Sequence, residues 1–144
     1  MHQGTRVWTS VALGMLFMSD SARSQMTLPP DPTLVARNAE LRLRPSYQQC
    51  IDASMAATPL LLECSSNEFA FQDGRLNDAY KKLRASLNEQ QRLKLRDEER
   101  EWLAGKKIQC SSGEEPGQGD LIVSATCEVV ETAKRANELI NRLK

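Results

Sequence analysis

The sequence predicts an all-α fold: a three-helix antiparallel bundle built on a helical hairpin, with a short N-terminal helix and two disulfides. Three observations predict it. Between Cys64 and Cys110, apolar residues recur at helical spacing in two arms of nearly equal length. A third stretch of the same period follows a loop rich in glycine, and no segment reads as a convincing strand. Four cysteines, an even number, sit in a short chain behind an apolar leader.

The leader comes first. Arg6 begins a short basic region, residues 7–18 are apolar, and Ala22 and Ser24 occupy the small positions a signal peptidase requires. Residues 1–24 are therefore read as a signal peptide, cut after Ser24. The apolar run is too short to span a bilayer comfortably and no second one follows, so no membrane insertion is expected after cleavage. The expected location is the bacterial periplasm or the exterior. Cleavage removes Arg6, Arg23 and Asp20 from a chain of 19 basic and 19 acidic residues, leaving a net charge of −1. Such a balance does not suit a nucleic-acid binder.

Residues 25–46 contain Pro29, Pro30, Pro32 and Pro45, with room for one short helix over residues 34–43. The stretch is read as a linker or flexible arm, and residues 47–144 as the folded domain. Residues 47–62 carry Cys50, Ile51, Met55 and the Leu60, Leu61, Leu62 run; Pro59 rules out one unbroken helix there, so a short helix and an apolar turn covering one end of the hairpin are expected.

The hairpin is expected over residues 65–87 and 89–109, turning near Asn88. Phe69, Leu76, Tyr80, Leu83 and Leu87 line one arm, with Ser65 or Ser66 as its N-terminal cap; Leu95, Trp102 and, less regularly, Leu93, Leu103 and Ile108 form the apolar stripe of the other. Trp102 and Tyr80 are read as core. Asn77 and Arg135, beside apolar positions, are expected to satisfy buried polar groups. Residues 111–119, SSGEEPGQG, form an exposed loop, and Asp120 caps a last helix over residues 121–143.

All four cysteines lie beyond the leader, and two disulfides are expected rather than a metal site, since no CxxC spacing occurs and His2, the single histidine, leaves with the leader. Three pairings are open. The matched hairpin arms favour Cys64 with Cys110, which leaves Cys50 for Cys127. Closing the loop from Cys64 to Cys110 would contribute on the order of 4 kcal/mol by chain entropy. Without a histidine there is no histidine general base and no Ser-His or Cys-His nucleophile pair. No phosphate loop or dinucleotide fingerprint occurs, and no cofactor is expected. Asp97, Glu98, Glu99 and Glu101 interleave with Arg96 and Arg100, the pattern of an ion-paired helix face rather than a glycosidase pair. The chain reads as a binding protein and not an enzyme.

Several marks, in order, carry a family resemblance: Cys50 and Cys64; Leu76, Asn77, Tyr80 and Leu83; Arg100, Trp102 and Leu103, with Cys110 eight residues past the tryptophan; then Cys127, Thr132, Arg135 and Leu139. Over residues 47–143 the chain resembles the LprI-type lysozyme inhibitor family. Two positions depart from its pattern. Glu99 stands where glutamine is common, and Lys106 and Lys107 stand where an Arg-Asp pair is common.

The resemblance implies an exported helical protein that blocks lysozyme without covalent chemistry. Two surfaces are candidates for that contact. In the loop, Glu114 and Glu115 would meet basic groups around the enzyme's cleft, while Ser111 or Ser112 hydrogen-bonds a catalytic carboxylate. On the hairpin, Asp97, Glu98 and Glu101 would steer a basic enzyme. The competing reading is an envelope interaction module that pairs with another protein or a toxin through residues 60–62 or the last helix.

Overall fold

The structure, a computed structural model, describes residues 31–144. The expected signal peptide lies outside the described residues. Among those described, five helices follow one another with no strand: α1 (Pro32–Leu41), α2 (Pro45–Ala53), α3 (Thr58–Ser86), α4 (Glu89–Gln109) and α5 (Gln118–Asn141).

The three long helices run up, down and up. Asn88 turns the hairpin: its side chain accepts from Gln91 N at 2.9 Å, and Gln91 Oε1 accepts from Asn88 N at 3.1 Å. This reciprocal cap satisfies two orphan donors and lets α4 start at once. At one end of the bundle Thr58 Oγ1 donates to Gln118 Oε1 at 3.1 Å; further along, Arg75 Nη2 donates to Asn137 Oδ1 at 2.7 Å. These bonds hold α3 and α5 parallel. Small side chains bring the two helices close, with Ala79, Ala133 and Ala136 buried. Leu76, Leu83, Leu95 and Leu139 complete the core, and Tyr80, Leu87, Trp102 and Ile140 pack against it. Trp102 and Tyr80 thus serve the core as expected, whereas Leu93, Leu103 and Ile108, expected in the apolar stripe of α4, are exposed.

Several boundaries differ from the sequence reading. The first arm begins at Thr58, because Pro59 fits the first turn of a helix, where its missing N–H has no partner to lose. Ser65 and Ser66 are therefore interior residues and not caps, and Leu60, Leu61 and Leu62, expected in an apolar turn, lie inside α3. The last helix starts at Gln118, and Asp120 Oδ2 accepts from Gly117 N at 3.0 Å from within the first turn. Asn77 is exposed and bonds Asp73 on its own helix, so it satisfies no buried group.

The stretch expected as a flexible arm is helical from Pro32 and docked on the bundle. Glu68 of α3, fully buried, accepts from Arg44 N at 3.1 Å, Arg44 Nε at 2.7 Å and Gln72 Nε2 at 2.7 Å. Gln72, also fully buried, donates to the Arg42 carbonyl, and Asn137 donates to that of Glu40. A buried carboxylate with three donors holds the corner between α1 and α2 where hydrophobicity alone would not.

The disulfides correct the favoured pairing. They are Cys50–Cys64, with Cα atoms 5.8 Å apart, and Cys110–Cys127, with Cα atoms 5.4 Å apart. Cys64 and Cys110 lie at similar distances along the chain from Asn88, but that does not decide which way each cysteine points. After the turn at residues 54–57, α2 and α3 lie against each other, and this sets Cys50 across from Cys64. Cys110 ends α4, and its carbonyl accepts from Ser124 Oγ of α5 at 2.6 Å, one turn before Cys127. Each bridge therefore closes a local helix-to-helix corner.

Candidate functional site

The loop between α4 and α5 is shaped by short-range chemistry. Gly113 takes a φ of +87°, a left-handed conformation open to glycine at little cost. Its N–H donates to Ser111 Oγ at 3.2 Å, which leaves the Ser111 hydroxyl proton to donate elsewhere. Ser112 is half-buried, whereas Ser111, Glu114 and Glu115 are exposed. The Cys110–Cys127 bond joins the flanking helices directly, so the loop is closed at its base. No basic side chain among the described residues lies within ion-pair distance of Glu114 or Glu115.

The acidic hairpin face is built differently. Asp97 is engaged by Arg96 at 2.8 Å and Arg100 at 4.0 Å. Glu98 accepts from Arg142 Nη1 at 2.7 Å, and this bond holds its carboxyl below the usual glutamate range despite slight opposing desolvation. Glu101 is exposed. Glu98 and Glu101 share a shallow depression with Trp102, Arg135, Glu138 and Arg142, in which Asp97 has no part. Much of the charge on this face is neutralised within the molecule. It lies about 14 Å along α4 from the loop, at 1.5 Å per residue, so the two candidate surfaces are separate.

Of the residues at the positions that depart from the family pattern, Glu99 and Lys106 have partners within the molecule, and Lys107 has no ion-pair partner among the described residues. Glu99 is buried on α4, and Arg135 Nε and Nη2 donate to its Oε1 at 2.8 and 2.6 Å. Burial opposes the Arg135 charge, but its bonds to Glu99 and Glu138 outweigh that and raise its pKa above the ordinary arginine value. Arg135 thus satisfies a buried group as expected, with Glu99 as its partner. Lys106 is 2.6 Å from Glu128 and lies over the rings of Phe69, at 5.0 Å, and Trp102, at 5.1 Å. It fastens α4 to both neighbours. Lys107 points into water.

One feature of this end went unmarked in the sequence. Between α2 and α3, Met55 and Ala56 both take left-handed conformations, with φ of 47° and 62°, and Met55 is 89% exposed. Neither residue is glycine, asparagine or aspartate, so no turn signal was legible there.

These observations define a class of protein: a small helical domain fastened by two local disulfides, presenting a preformed acidic loop. The family model described as Lysozyme inhibitor LprI matches residues 50–139, and the chain belongs to that family. No curated protein and no solved structure gives a significant match. No helix among the described residues is long and apolar enough to cross a membrane.

Proposed function

We propose that this protein is an exported, non-covalent inhibitor of a lysozyme-type glycosidase, and that residues 111–117 carry the contact. The name of the matching family supports a lysozyme as the target. The carrying observation is the state of Glu114 and Glu115: both are exposed and unpaired among the described residues, on a loop closed by its own disulfide. A loop shaped before binding loses little freedom when it binds, and uncompensated carboxylates complement the basic surround of a lysozyme cleft. Glu98 and Asp97, already bound to arginines, have less charge to offer a partner.

Titration of the exported, oxidised protein against a basic lysozyme acting on cell-wall substrate tests this reading. Saturable inhibition near one-to-one stoichiometry is expected, and the double variant Glu114→Gln, Glu115→Gln should lose most of it while staying folded. Absence of inhibition by the folded, oxidised protein would remove the reading for that lysozyme class.

A further inference from the structure

We infer that Met55 is the apolar anchor of the same binding surface, and that the surface takes a basic protein whose cleft has an apolar wall. The inference rests on the inhibitor reading above and adds a second contact to it.

The turn at residues 54–57 and the acidic loop belong to one end of the bundle. The hydrogen bond from Thr58 Oγ1 to Gln118 Oε1 joins the helix that leaves the turn to the helix that leaves the loop. Each connection is closed by its own disulfide, Cys50–Cys64 for the turn and Cys110–Cys127 for the loop. One end of the bundle therefore carries two connections, each closed by a disulfide, one acidic and one apolar.

Met55 is held out by the backbone. Left-handed conformations are unfavourable for any residue with a Cβ, and here two occur in succession. The surrounding bonds fix them: Ser54 is buried, its Oγ donates to the Ile51 carbonyl at 2.7 Å, and Ala57 N donates to the Ser54 carbonyl at 2.9 Å. Met55 is consequently more exposed than Ile108, at 79%, or Val123, at 69%. A flexible thioether side chain on a rigid turn suits insertion into an irregular apolar slot. Glycosidase clefts offer such a wall, because the acid carboxyl keeps its proton by sitting in an apolar pocket. Basic groups around that cleft would meet Glu114 and Glu115 while the Met55 side chain is buried.

The two contacts have different kinetic signatures. Charge acts during approach, and apolar burial acts on residence. Binding kinetics of the oxidised protein with a basic lysozyme should be measured for the wild type, Met55→Ala, Met55→Leu and the double variant Glu114→Gln, Glu115→Gln. Because Met55 is in water, its variants should keep the wild-type melting temperature. Met55→Ala should raise Kd about tenfold or more, through dissociation, with unchanged salt dependence. Met55→Leu should restore most of the affinity, and the glutamine variant should slow association and flatten the salt dependence. If wild type binds and Met55→Ala binds within twofold of it, the anchor is overturned and the inhibitor reading stands. If folded wild type does not bind, both are overturned.

Discussion

Arg135 of α5 reaches across the bundle to Glu99 of α4 and donates both Nε and Nη2 to a single carboxylate oxygen, in a site where both residues are buried. Removing one partner of such a pair leaves an uncompensated charge out of water. Arg135→Ala should therefore destabilise the protein by roughly 3–5 kcal/mol. Glu99→Gln, which installs the residue common in the family, keeps an acceptor for Arg135 and leaves it Glu138 at 2.7 Å, so its cost should be clearly smaller. Urea unfolding midpoints at constant m-value measure both.

The bond between Arg142 and Glu98 makes a pH-dependent contribution. The Glu98 carboxyl is held below its ordinary value, so the folded state gives up its proton more readily than the unfolded state. That stabilisation is complete above the ordinary glutamate pKa and fades as pH falls through the lowered folded value. Arg142→Ala removes it. The melting-temperature gap between wild type and Arg142→Ala should be present at pH 7 and should shrink steadily below about pH 4.

Loss of the Cys110–Cys127 bridge through paired serine substitutions should cost about 3 kcal/mol, the chain-entropy figure for a loop of this size. The helices should persist by circular dichroism. Inhibition should weaken more than stability alone explains, because the loop is no longer closed at its base. Mass mapping of peptides from the unreduced protein should recover Cys50 with Cys64 and Cys110 with Cys127, and no peptide joining Cys64 to Cys110.

Lys107 replaces an acidic position of the family pattern and has no ion-pair partner among the described residues. Lys107→Asp should leave stability within about 0.5 kcal/mol of wild type. It makes this end of the bundle more acidic, so association with a basic lysozyme should quicken at low salt and lose that advantage at high salt. Stopped-flow association at two ionic strengths is the measurement.

The core residue Leu95 is fully buried between the helices. Leu95→Ala should cost roughly 2–5 kcal/mol, and the loop contacts should bind as before in whatever fraction remains folded. Thermal unfolding, with inhibition measured well below the melting temperature, separates the two effects.

The sequence by itself determined the features that depend on neighbours along the chain. Apolar residues at helical spacing specify α4 over residues 89–109, and Asn88 with Gln91 specifies its start through a cap that needs no other part of the molecule. The loop is written in Gly113, Pro116 and Gly117, and an even number of cysteines with no CxxC spacing indicates a disulfide-bonded domain. Tertiary structure alone decided which cysteines meet, because pairing depends on which faces α2, α4 and α5 turn toward one another, and periodicity carries no such information. It also decided that residues 32–46 dock, since the partners of Glu68 and Gln72 lie more than twenty residues away in sequence. The left-handed turn at Met55 was equally invisible: Met and Ala carry no preference for it, and the disulfide that closes it forms only once α2 has folded back on α3.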